Sequence, residues 1–252
     1  MIVLFLLTPL CAIMGTLVVQ LRMAFFSDAI AHSAFTGVAL GLILGVDPRF
    51  SLIFFGMLIG IAIMRLRRKG DMAMDTTIGI IFSTSVALGL AILSAKKGLG
   101  RDLPGFLYGD ILAIDDGEVV VAMILSLIVW VFLAFCYNNL LFISLHDRLA
   151  RVVGIKVDAL ESVFAMVLAL IVGFSIRAVG ILLVTSLLVI PAAAARNVSG
   201  STFSLVWIAV GLSLFASMAG LATSVFVDFA AGPAIILWSS GMFCVSICFK
   251  KN

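Results

Sequence analysis

In the stretch SDAIAHSAFTGVALG, residues 27–41, a carboxylate and an imidazole stand four positions apart: Asp28 and His32, the latter one of only 2 histidines in the chain. On a helix that spacing puts both side chains on one face, about 40° apart around the axis and about 6 Å along it. Thr36 continues the same face. A carboxylate oxygen with an imidazole nitrogen suits Zn²⁺ or Mn²⁺. One such pair supplies half of a four-ligand shell, and a second copy of the chain across a two-fold axis would supply the rest. Loose ligation suits a path, because an ion held tightly is not released. The same residues also fit a structural role, with Ser27 or Asp28 as a helix N-cap and His32 hydrogen-bonded in the first turn or resting among headgroups.

A neighbouring stripe consists of small residues at the same spacing: Ala29, Ser33, Gly37, Gly41 and Gly45. Small residues four apart let helix backbones approach closely in lipid, so this helix is expected inside a bundle. The rest of the chain supplies that bundle. It has 252 residues, 63% of them hydrophobic and 12% charged, with a mean hydropathy of +1.31. A soluble domain carries roughly twice that share of charge. The apolar runs are continuous rather than alternating at period two, which argues against a β-barrel. The expected fold is all-α, a polytopic membrane bundle of eight or nine transmembrane helices in one domain over 1–252. The candidate spans are 2–21, 29–45, 50–66, 74–95, 118–137, 161–178, 180–196, 203–227 and 231–249. The first reads as a spanning helix rather than a signal peptide, since it lacks a basic leader region. The sixth and seventh are the weakest, joined by RAVG and with Pro191 interrupting the latter; both read as short or broken helices.

The densest basic cluster, RLRRKG at 65–70, should be cytoplasmic. Alternation from there puts the N-terminus outside and the C-terminus inside. Two polar stretches remain. The outer one, 96–118, ends in Asp110, Asp115, Asp116 and Glu118, a candidate surface for a delivering protein or a merely solvated loop. The inner one, at about 138–160, is too long for a structureless connector and should hold its own helix. Leu145, Leu149 and Val152 or Val153 make an amphipathic pattern there, with Asp147 near the start, Arg151 near the end and Gly154 as the stop. Such a helix suits docking into a partner's groove or resting on headgroups.

Absences narrow the class. No G-x-x-x-x-G-K-[ST], no H-E-x-x-H and no nucleophilic serine elbow occurs, so neither ATP binding by a P-loop nor an intramembrane protease is expected. The net charge of +3 gives no reason to expect nucleic acid.

The ordered set SDAIAHSAFTGVALG, MDTTIGIIFSTSVALGL, FLYGDILAI, DRLARVVGIKVDALE, RAVGILLVTSLLVIPAAAAR and DFAAGPAIILWSS resembles the permease subunit of bacterial zinc/manganese ABC importers. TSLLVIPAAAAR looks closer to the zinc branch. The resemblance implies a non-catalytic permease in the bacterial inner membrane, working as a homodimer among lipid on a dimer of cytoplasmic ATPases. Those partners bind the ATP, and a periplasmic or lipid-anchored metal-binding protein delivers the ion. It implies that Asp28 and His32 line the path of Zn²⁺, or of Mn²⁺ or Fe²⁺, as substrate. No intrinsic cofactor is expected. The segment with Asp147, Leu149, Ala150, Arg151 and Gly154 would couple to the ATPase. The rival reading is a secondary transporter that needs no ATPase.

Overall fold

The computed structural model describes residues 2–70, 72–95, 116–227 and 230–249. Ten helices follow in chain order: α1 Ile2–Gln20, α2 Ala24–Leu44, α3 Pro48–Gly70, α4 Met74–Ala95, α5 Asp116–Leu145, α6 Asp147–Val152, α7 Val157–Val179, α8 Ile181–Val198, α9 Thr202–Val227 and α10 Ala231–Cys248. Among the described residues there is no strand, and 9 of these helices, all but α6, are long and apolar enough to cross a membrane.

Four boundaries differ from the sequence reading; one is the end of α3, at Gly70 rather than 66. Helix α2 starts at Ala24, not near 29, because AFFSDA holds helical geometry straight through its acid. Helix α5 runs on to Leu145, well past 137. YNN does not end it, because Leu140 and Ile143 bury against neighbours on its inner face. Helix α7 begins at Val157, so the inner connector shrinks from 138–160 to 146–156.

The turns explain themselves chemically. Between α1 and α2, the Arg22 N–H donates to Val19 O at 3.2 Å and the Met23 N–H to Val18 O at 2.8 Å. This paired closure needs a left-handed residue, and Arg22 takes that role at φ 57. Between α7 and α8, Gly180 sits at φ 85, ψ 160, a region that only glycine occupies without strain. The two spans around it are therefore whole helices meeting at one glycine. Pro191 lies inside α8, which continues through it.

Helix α2 packs against α3, α4 and α7, whereas α1 packs against α5, α8 and α9, with α10 against α8 and α9. Hydrophobic residues from both sets form one core, with Met14, Leu17, Phe26, Ile30, Phe164 and Leu188 fully buried. Crossings are tight. A Cβ at Gly15 would overlap the Leu188 carbonyl, and one at Gly220 the Ile235 backbone. In lipid, where apolar burial drives association weakly, such close backbone approach is a main source of helix affinity.

Candidate functional site

Because α2 begins at Ala24, with Met23 preceding it, Asp28 is the fifth helical residue and cannot be the N-cap. Ser27 is not one either, since its hydroxyl donates back to Ala24 O at 3.1 Å. Asp28 and His32 are both half-buried on one face of α2. The His32 Nδ1 lies 3.0 Å from the backbone carbonyl oxygen of Asp28. A carbonyl oxygen only accepts, so Nδ1 carries the proton and donates. In the neutral ring this leaves the Nε2 lone pair free, the arrangement that prepares a histidine for a metal. Phe82 of α4 meets the imidazole edge-on, with ring centroids 5.4 Å apart and planes at 79°. The ring is thus held by a hydrogen bond on one nitrogen and by an aromatic neighbour.

The polar face predicted to run on through Thr36 divides. Thr36 is fully buried, and its hydroxyl donates to Ser85 O of α4 at 2.6 Å. Gly89, one turn further along α4, fits beneath it, and an added Cβ there would run into the Thr36 hydroxyl. Thr36 therefore fixes α2 to α4 instead of lining a path. The small stripe packs as expected at Gly37 and Gly41, which lie against Leu52, Ser51 and Pro48 of α3, with Ser51 Oγ donating to Gly37 O at 2.6 Å; Gly45 is instead the exposed left-handed cap that ends α2. Among the described residues no three His, Cys, Asp or Glu side chains converge. One chain thus offers two donors.

The outward faces of α4 and α5 differ in kind. Between Val120 and Phe135, every exposed residue of α5 is apolar, Leu127 and Trp130 among them; this is a face for lipid tails. On α4 one exposed row four apart is small and partly polar, Asp75, Gly79, Ser83, Ala87 and Ala91, a face suited to another helix or to water; the row beside it, Thr76, Ile80, Thr84 and Leu88, is larger and mixed.

At the end of the bundle where α1 and α3 finish and α2 begins, the 6-residue helix α6 stands out from the spans. Its closure matches the sequence reading: Gly154 has φ 90, Gly154 N–H donates to Arg151 O at 3.2 Å, and Ile155 N–H to Ala150 O at 3.0 Å. Its apolar face points out of the chain, as a helix that docks on a partner or rests on headgroups requires. Ala150 is the buried residue, packed with Ile143 and Val157. Leu149, Val152 and Val153 are exposed, Val152 at 83%. Leu145 is also exposed, but as the last residue of α5. The apolar pattern therefore looks outward.

Charged residues collect behind α6. Arg151 pairs with Asp147 at 3.4 Å, and both its terminal nitrogens donate to Asp158, at 3.0 and 3.3 Å. That bidentate bond, with Asp147 adding to it, raises the Arg151 guanidinium above the ordinary arginine range. Arg68 reaches the same Asp158 carboxylate at 3.3 Å, and Arg67 reaches Glu161 at 3.4 Å. These contacts were not anticipated. The signal available was a basic cluster at 65–70 and the acids of KVDALE, placed at the same boundary.

At the far end Glu118 pairs with Arg49 at 3.6 Å, its side chain 18% exposed. Asp110 and Asp115 lie outside the described residues, as does the side chain of Asp116.

The family described as the ABC 3 transport family matches residues 1–250. A relative from Haemophilus influenzae, named high-affinity zinc uptake system membrane protein ZnuB, is 35% identical over 98% of this chain and 94% of its own. The manganese import system permease protein ScaB of Streptococcus gordonii is 32% identical over 92% of this chain and 83% of its own. The solved structure described as PsaBC from Streptococcus pneumoniae in complex with Fab superposes with a TM-score of 0.82 at 28% identity, covering 97% of this chain and 88% of that one.

Proposed function

The chain belongs to the ABC 3 transport family, and from that premise we propose that it is the membrane-spanning permease of an ATP-driven importer of divalent transition metal, zinc foremost. The observation that carries the site is the His32 ring, anchored at Nδ1 with Nε2 free, beside the Asp28 carboxylate on a half-buried face. The ion is substrate: it passes the pair and is not retained. Two chains related by a two-fold axis bring two Asp28/His32 pairs together, a set that satisfies the four-coordinate preference of Zn²⁺. The small, partly polar outer face of α4, beside Phe82 and hence beside His32, supports that pairing. The whole chain acts as one permease domain.

Helix α6 is the part that meets the cytoplasmic ATPase, with Leu149, Val152 and Val153 presented outward and Asp147, Ala150, Arg151 and Gly154 holding its shape. Its end of the bundle also carries Arg65, Arg67, Arg68 and Lys69, which supports a cytoplasmic placement with the N-terminus outside. The chain itself is the non-catalytic subunit, and ATP is bound by its partner. A binding protein delivers the ion from outside, where Asp110, Asp115, Asp116 and Glu118 form part of its landing surface. Manganese is the second reading, favoured by the Streptococcus relative's name and by a donor set of oxygen and nitrogen that Mn²⁺ also accepts.

The test is to purify the chain with whatever ATPase accompanies it and measure the bound and transported metal by mass spectrometry. Zinc flux that requires ATP and the ATPase is expected. ATP-independent flux in liposomes by a chain that never retains an ATPase would instead establish the secondary transporter.

A further inference from the structure

Asp158, the second residue of α7, is a carboxylate touched from two other elements at once. Arg151 of α6 holds both of its oxygens, at 3.0 and 3.3 Å. Arg68, near the end of α3, approaches the same carboxylate at 3.3 Å, and its guanidinium also donates to the Asp158 carbonyl and to Ser162 Oγ, the latter at 3.0 Å. We propose that Asp158 is the joint through which movement of α6 reaches α2, the helix that carries Asp28 and His32. This rests on the reading of α6 as the ATPase-facing element.

The geometry behind it is continuous. Helix α6 is joined to α5 through His146 alone, and its one buried residue, Ala150, packs in a small cluster with Ile143 and Val157. Arg67 adds a second tie between α3 and α7 through Glu161 at 3.4 Å, so α3 and the start of α7 move together. Along α3, Gly56 and Gly60 make room for Ile30 and Phe26 of α2 on one side and for Ala169 and Ala165 of α7 on the other. Phe26 and Ile30 flank Asp28 in sequence. A push on α6 is therefore passed by one carboxylate to α3, and from α3 by close packing to the segment of α2 that bears the half-site. The charge pairs themselves are about half exposed, with 48% for Arg151, 47% for Asp158 and 32% for Arg68. Exposed pairs of this kind add little to stability, so Asp158 serves as a positioning residue whose loss leaves the bundle folded.

The experiment reconstitutes the chain with its ATPase in liposomes. It compares ATP hydrolysis with and without the zinc-loaded binding protein, zinc accumulation, and the amount of ATPase retained. Asp158→Asn and Arg68→Gln are expected to keep the ATPase and its unstimulated hydrolysis. Zinc-dependent stimulation and accumulation should fall together by about fivefold or more. Asp158→Glu, which keeps the charge, should recover most of both. Wild-type coupling in Asp158→Asn and Arg68→Gln overturns the inference. So does loss of the ATPase from either variant, which would make Asp158 part of the docking structure rather than of transmission. A wild-type chain that retains no ATPase overturns the reading of α6 itself, a result separate from either.

Discussion

The Nδ1 of His32 is hydrogen-bonded to the main-chain carbonyl of Asp28, 3.0 Å away, so in the proposed half-site Asp28 serves twice. Its carbonyl orients the imidazole and its carboxylate adds a second donor. The two contributions separate by mutation. Asp28→Ala keeps the anchor and removes the carboxylate; His32→Ala removes the nitrogen. Each is expected to lower zinc accumulation about tenfold or more, with unchanged expression and ATPase retention. Normal uptake by the double variant would remove both residues from the path.

If two copies meet across the small face of α4, a cysteine there must find its twin. Ser83→Cys should form an intermolecular disulfide under mild oxidation, or react with a short bifunctional thiol reagent in native membranes. Leu127→Cys, on the apolar face of α5, is the control and should stay monomeric on a denaturing gel. Cross-linking through Leu127→Cys alone would move the two-fold axis to α5.

The Gly154 closure of α6 gives a third expectation. At φ 90, with its N–H bonded to Arg151 O, it accepts neither proline's fixed φ nor the loss of a donor. Gly154→Pro should disorder the end of α6 while leaving the spanning helices intact. The readout is loss of ATPase retention or of zinc-dependent hydrolysis, alongside a normal thermal transition in detergent. Unchanged association and uptake would show that α6 does not meet the ATPase.

Gly180 makes a prediction about stability rather than transport. Its φ of 85 and ψ of 160 cost a side-chain-bearing residue about 1–3 kcal/mol. Gly180→Ala should lower the thermal midpoint in detergent by a corresponding amount. Gly211 has neither a positive φ nor a neighbour within 4 Å of an added Cβ. Gly211→Ala should therefore be neutral or raise the midpoint slightly. Equal shifts in the two variants would mean that the α7–α8 junction is not strained.

The apolar runs located the nine helices long and apolar enough to span a membrane among the described residues, because a membrane demands unbroken hydrophobic length whatever the helix packs against. The ends were harder. Starting α2 near 29 kept Asp28 at the membrane edge, yet Phe25 and Phe26 ahead of it extend the helix by a turn and place the acid within it. YNN looked like a terminus, but helical hydrogen bonds tolerate polar residues where Leu140 and Ile143 still bury an inner face. The spacing of Asp28 and His32 was legible from local geometry. The Phe82 ring beside His32 was not, nor the Arg68–Asp158 contact between residues 90 positions apart. Those depend on which helices become neighbours, and periodicity along one helix carries no record of that. The burial of Ala150 was hidden for a related reason: it depends on Ile143 and Val157 closing over it.

The depth of His32 has an electrical consequence. It is the ninth residue of α2, about 12 Å from that helix's start at 1.5 Å per residue, against a hydrocarbon thickness of about 30 Å. With that start facing the cytoplasm, a divalent cation arriving from outside on the proposed path would cross over half of the transmembrane voltage before meeting the imidazole. A potential of 100 mV, negative inside, then favours its arrival by about 3 kcal/mol. Collapsing the voltage with an ionophore should weaken occupancy from the outer side even while ATP remains plentiful.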